Sequence, residues 1–178
     1  MSAAPSSFVA LDFETAYYTR DSACAIGLVR MIGGEVVATE SFLIRPPTRQ
    51  FVFTYLHGIS WEMVKDAPTF AELLPRLNAF IDGARFVAAH NASFDRSVFN
   101  RTCEHYGLEI PGHRYICTVN VARDLWGIYP TKLPNVCEHL GIDLTRHHDA
   151  AADAMACARI VQCALDELGP ARFAQRYL

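Results

Sequence analysis

Two hydrophobic periods divide this chain, and the change between them restricts the fold more than any other feature. Before residue 45 the apolar residues come in short, β-prone runs. Residues 8–14, 24–32 and 35–44 read as strands, with Gly33-Gly34 as the hairpin turn between the last two. Pro46-Pro47 ends the third run, because proline has no N–H to give a ladder. From residue 69 onward helical spacing takes over. Phe70, Leu73, Leu74, Leu77 and Ile81 fall on one helical face, Thr69 with Glu72 makes a capping box, and Gly83 closes the helix. Then come a short buried strand at 86–90, a helix at 93–106, a strand at 115–117 and helices at 119–125 and 133–140. A long alanine-rich helix at 149–168 ends at Gly169-Pro170. An antiparallel meander feeding two βα units predicts an α/β fold: a mixed five-stranded sheet, antiparallel meander plus two parallel strands, flanked by helices. The polar stretch 17–22 is expected as a loop, and residues 2–7 as a frayed start.

At 178 residues the chain suits one compact domain, 1–178, with its core at about 8–168 and no visible linker or repeat. A hydrophobic fraction of 51% with 20% charged residues argues against disorder or a fibrous repeat. Six cysteines, none in a C-x-x-C pair, read as reduced buried thiols. No secretory signal is visible, and no apolar stretch approaches the ~20 residues that span a bilayer, so a cytoplasmic protein with no membrane partner is expected. The net charge of −3 argues against gripping long duplex DNA by phosphate contacts alone.

The chemistry-bearing residues sit where elements begin or end. Asp12 and Glu14 lie two apart at the end of the first strand, so both point to one side of it. Two adjacent, partly buried carboxylates repel, and no Lys or Arg lies within five residues on either side. A divalent cation held through oxygen is the natural partner; a strand end that has reached solvent is the plainer alternative. Asp95 follows the fourth strand, at the start of a helix, on the face it shares with Val98 and Phe99. A favourable acid in a helical first turn is the alternative there. Asp153 shares a helical stripe with Ala150, Cys157, Ile160 and Val161, where an acid needs a reason. His148 precedes that helix at its mouth, Asp149 reads as its N-cap, and His147 reads as a solvated neighbour.

Taken together, Asp12-x-Glu14, Asp95 and His148-x-x-x-x-Asp153 resemble the three exonuclease motifs of DnaQ-like, DEDDh-type 3′→5′ exonucleases. Leu56-His57-Gly58-Ile59 and Ala89-His90-Asn91-Ala92-Ser93-Phe94-Asp95 are further matches, and the resemblance covers residues 8 to 165. It implies a ribonuclease H-like fold. It implies that Asp12, Glu14 and Asp153 bind one Mg²⁺ or Mn²⁺, that Asp12 reaches a second ion, and that Asp95 assists through water. It also implies His148 as the general base. The tyrosine variant of the family needs Tyr where Asp149 stands, so the histidine subtype is implied. Thr15, Leu56, His57, Asn91 and Phe94 match positions that hold the terminal nucleotide, with Phe94 offering a stacking contact.

The implied activity is a metal-dependent 3′→5′ exonuclease, releasing nucleoside 5′-monophosphates from single-stranded 3′ ends, with DNA favoured over RNA. An exoribonuclease of the same family, a metal-dependent endonuclease of the same fold and a noncatalytic polymerase-accessory or nucleic-acid-binding domain are the alternatives. Many relatives follow the first motif with Thr-Gly; here Thr15-Ala16-Tyr17-Tyr18 stands. Tyr17, Tyr18 and Arg20 are expected as an ordinary polar loop, and Arg123, Lys132 and Arg146 as solvated surface that could touch phosphate. The chain ends soon after its last helix, so the extended tail by which proofreading subunits hold a polymerase is not expected.

Overall fold

The first strand carries two alternating side-chain sets, and each set builds one layer of the core. In the computed structural model, which describes residues 7–178, β1 spans Ser7–Thr15. Val9, Leu11 and Phe13 point into one apolar cluster, while Phe8 and Ala10 point into another. The first cluster is completed by Phe70, Leu74, Leu77 and Ile81 of α3 (Phe70–Ile81) and by Val98 and Phe99 of α4 (Ala92–His105). The second is completed by Ala154, Cys157, Ala158 and Val161 of α7 (Ala150–Tyr177). Burying a Val, Leu or Phe side chain is worth roughly 1.5–3 kcal/mol, so β1, covered on both faces, is the strand on which the fold depends.

β2 (Ala23–Ile32) and β3 (Glu35–Leu43) make the antiparallel meander with β1. β4 (Val87–Ala89) and β5 (Tyr115–Cys117) add in parallel on the other side, giving the order β3-β2-β1-β4-β5. This is the mixed five-stranded sheet expected from the periodicities. α5 (Thr118–Trp126) and α6 (Leu133–Leu140) pack with α7 beyond the β5 edge. The Thr69–Glu72 capping box is formed at both ends, with Thr69 N–H donating to Glu72 at 2.7 Å.

Two details differ from expectation. Two short helices, α1 (Thr54–His57) and α2 (Trp61–Val64), lie in the stretch between β3 and α3. Four residues make barely one turn, too short to show a period. At Gly169 the backbone leaves the helix (φ 75, ψ 154), as the Gly-Pro pair requires, but a helical segment resumes and α7 runs on to Tyr177. Phe173 of that segment packs on Phe86, with ring centroids 5.8 Å apart. The expected frayed start falls on residues 2–7, of which 2–6 lie outside the described residues.

One glycine decides where α7 meets the sheet. Gly27 of β2 pairs with Asp12. A Cβ built on Gly27 would stand 2.2 Å from the carbonyl oxygen of Ala150. The first turn of α7 therefore rests directly on the β2 backbone, beside Asp12.

Candidate active site

That close approach brings together groups far apart in sequence. Asp12 and Glu14 are on the side of β1 that faces α7, and Asp153 is in the first turn of α7. One carboxylate oxygen from each of Asp12, Glu14 and Asp153 lies within 4.8 Å of the others. Glu14 and Asp153 are buried, and Asp12 is half-buried. Burial, reinforced by Asp95, Glu14 and Asp153, holds the Asp12 carboxyl well above the usual carboxylate range. Burial and the nearby Asp153 push Glu14 up to about 8. Crowded oxygens that resist ionisation suit a divalent cation, which would relieve both the desolvation and the repulsion.

Asp95 is placed differently. It is 1% exposed, and its Oδ1 accepts the N–H of Phe13 at 3.0 Å. It does not join the three-carboxylate cluster. Burial raises it to about 7, while that N–H and the charge of Arg20 pull the other way. It sits in the first turn of α4 after Asn91, whose left-handed backbone (φ 69, ψ 53) turns β4 sharply into the helix.

The strap before α7 carries both histidines. Asp149 is the N-cap, as expected, its Oδ1 accepting from the N–H groups of Ala151 and Ala152 at 3.1 Å each. His148 also has a left-handed backbone (φ 69), which folds the strap over the cleft. Its N–H donates to Asp153 Oδ2 at 3.0 Å, and desolvation together with His147 lowers its ring pKa. His147, read from sequence as a solvated neighbour, is exposed but also touches the site. Its Nδ1 lies 3.0 Å from Asp153 Oδ2 and its ring stacks on His148 at 3.8 Å, because the turn at His148 swings both rings to the same side.

A cleft of about 1150 Å³ opens over these groups. Thr15, Leu56, His57, Asn91, Phe94 and His148 line it with Asp12, Glu14 and Asp153, whereas Asp95 lies behind the wall. His57 is locked, with Nδ1 accepting from Ile59 N–H at 3.0 Å and Nε2 donating to the Thr15 carbonyl at 3.1 Å. Desolvation lowers its pKa. Tyr17, Tyr18 and Arg20 also line the cleft, so the segment expected as a plain polar loop is one of its walls. The Arg20 guanidinium lies 4.2 Å from the Phe94 ring centre. Arg123 and Lys132 line the cleft too, while Arg146 pairs with Asp149 at 3.2 Å outside it. Residues 16–22 form this wall by returning past the end of β1, where Ser22 C=O accepts from Ala16 N–H, a contact that residue order alone does not announce.

The exonuclease family model RNase_T matches residues 9–161. The chain is 34% identical over 166 residues to DNA polymerase III PolC-type of Caldanaerobacter subterraneus subsp. tengcongensis, covering 90% of this chain and 12% of that protein. It is 33% identical over 159 residues to the PolC-type polymerase of Clostridium perfringens, covering 87% and 11%. The chain thus spans about a tenth of the curated relatives it matches. Among solved structures, exonuclease X in complex with 5′ overhanging duplex DNA superposes with a TM-score of 0.76 at 26% identity, covering 91% of this chain and 93% of that one. The nuclease domain of 3′hExo, a DEDDh family member bound to rAMP, superposes with a TM-score of 0.79 at 21% identity, covering 92% and 93%. The sheet order and these superpositions establish the ribonuclease H-like fold.

Proposed function

Because this chain belongs to the RNase_T exonuclease family, we propose that it is a metal-dependent 3′→5′ exonuclease acting on single-stranded ends, DNA in preference to RNA. The observation that carries this reading is the convergence of Asp12, Glu14 and Asp153 beneath a cleft that also holds His148. The preference for DNA is supported by relatives that are DNA polymerases.

Asp12, Glu14 and Asp153 would hold divalent cations, Mg²⁺ or Mn²⁺, two per site. Such ions supply an activated water and neutralise charge on the leaving 3′-oxygen. The residues do the remaining work. His148, whose ring pKa is lowered by desolvation and by His147, accepts the proton of the attacking water. Asp153 anchors the strap that carries His148 through the His148 N–H. Asp95 acts from behind by fixing the Phe13 N–H, and with it the spacing of Asp12 and Glu14 on either side. Leu56, the locked His57 and Phe94 form an apolar-sided pocket suited to a terminal nucleoside, next to Thr15 and Asn91. Nucleoside 5′-monophosphates are the products this arrangement implies.

The deciding experiment is digestion of 5′-labelled DNA and RNA oligomers, single- and double-stranded, with Mg²⁺, Mn²⁺ or EDTA. A ladder shortening one nucleotide at a time from the 3′ end supports the reading. Internal cuts, or hydrolysis undiminished in EDTA, would overturn it.

A further inference from the structure

The floor of the cleft is acidic, and its two rims carry cations in different ways. On the β1 rim, the face of the Arg20 guanidinium is spent on Phe94, at 4.2 Å from the ring centre. On the β5 rim, Arg123 of α5 gives its Nε–H to Thr131 Oγ1 at 2.9 Å. Thr131 is buried, and its hydroxyl donates to the Ile128 carbonyl at 2.9 Å. Its own carbonyl accepts from His90 Nε2 at 3.1 Å, and His90 Nδ1 faces the Thr118 hydroxyl at 2.8 Å. Burial pushes His90 down to about 4, so the ring stays neutral and its two nitrogens keep distinct donor and acceptor roles. A relay of hydrogen bonds from the sheet thus holds Arg123 by its Nε, and its two terminal amino groups have no hydrogen-bond partner among the described residues. Among the described residues no carboxylate pairs with Arg123 or Lys132, although Arg76, Arg101, Arg146 and Arg176 are each paired.

We propose that Arg123, with Lys132 beside it, forms a phosphate subsite for the nucleic-acid strand on the 5′ side of the scissile bond. The inference rests on the exonuclease reading above. α1, which carries Leu56 and His57, is tied to β1 through His57 and Thr15, whereas α5 follows β5 beyond β4. A strand with its 3′ nucleoside in the Leu56–His57–Phe94 pocket must cross the carboxylates and leave along the β5 rim. A guanidinium fixed at Nε presents a pre-oriented pair of donors to a phosphodiester, and little ordering remains to be done on binding. Arg123 and Lys132 line the cleft itself, so a chain of net charge −3 still presents local cations to a polyanion along this rim.

The test uses the full chain and fluorescein-labelled oligothymidylate. Binding is measured by anisotropy in EDTA over a salt series, and initial rates are measured in Mg²⁺. The second substrate is the p-nitrophenyl ester of thymidine 5′-monophosphate, which has no further phosphate. Arg123→Ala is expected to weaken oligomer binding about tenfold at low salt and to flatten the salt slope by about one. Its rate loss on the oligomer should exceed its loss on the ester by about tenfold. Thr131→Val, which frees the guanidinium, should shift both readouts in the same direction by less. Arg101→Ala, a paired surface arginine, is the control for general charge. An Arg123→Ala slope equal to wild type, or equal losses on the two substrates, would overturn the subsite. A wild-type protein whose binding depends on Arg123 but which cleaves neither substrate overturns the exonuclease reading and supports the subsite.

Discussion

The backbone N–H of His148 donates to Asp153 Oδ2 at 3.0 Å, so the carboxylate at the mouth of α7 also anchors the strap carrying the histidine. His148→Ala is therefore expected to lower turnover by about 10²–10⁴-fold while leaving the melting temperature of the protein nearly unchanged. His147→Ala removes a ring from the same carboxylate and should cost less. Steady-state rates of the two variants check this. A severe His147→Ala beside a mild His148→Ala would show that the proton acceptor has been assigned to the wrong ring.

Asp12→Asn and Asp153→Asn are each expected to reduce cleavage to near background, with circular dichroism unchanged. Both acids belong to the three-oxygen cluster, and neither is engaged by a basic Lys or Arg side chain among the described residues. Excess Mn²⁺ should restore little activity to either variant. Full rescue would place the metal elsewhere.

The metal-free protein should lose stability as pH rises. Glu14 is held at about 8 in the folded chain, against an ordinary value of 4.5. Between those values the folded state keeps a proton that the unfolded state releases, so stability is full below about pH 4.5 and falls through about pH 8. The loss is on the order of a few kcal/mol, or several degrees in Tm for a chain of this size. Glu14→Gln should remove much of this slope and raise the metal-free Tm at pH 8. Saturating Mn²⁺ should reverse the trend in the wild type, since cation binding needs the ionised acids. Thermal melts in EDTA and in Mn²⁺ across this range give the answer, and a metal-free Tm that climbs toward pH 8 would contradict it.

Gly27→Ala places a methyl group 2.2 Å from the Ala150 carbonyl oxygen, against backbone that cannot move aside cheaply. The expected cost is about 1–3 kcal/mol in stability. Cleavage should fall by up to about 10²-fold, because the first turn of α7 would carry Asp153 away from Asp12. A urea titration and an initial-rate assay separate the two effects. A variant as stable and active as wild type would mean that α7 does not depend on this contact.

Local spacing made much of this molecule legible from residue order. Alternation over 8–14 puts Asp12 and Glu14 on one side of β1, and the structure keeps them there. The Thr69–Glu72 box and the Asp149 cap each need only a few consecutive residues, and both are formed. The hairpin at Gly33-Gly34 and the change to helices after residue 69 are properties of short windows in the same way. α1 and α2 are not legible in this way, because a single turn has no period.

Residue order by itself thus determined the elements, their caps and the shared direction of Asp12 and Glu14. Only the tertiary structure decided which groups meet. The Asp95–Phe13 bond spans 82 positions in the chain and exists because β4 pairs in parallel with β1, a crossover that places the start of α4 behind the end of β1. Arg20 likewise reaches Phe94 from a distant part of the chain, and Thr131 receives His90 from 41 positions away. His147 meets Asp153 next to a left-handed backbone at His148, which no side-chain pattern announces. Helices, strands and caps arise from neighbours a few residues apart. The cleft arises from packing β1 between two helical layers, and the energy that selects that packing is shared over the whole core.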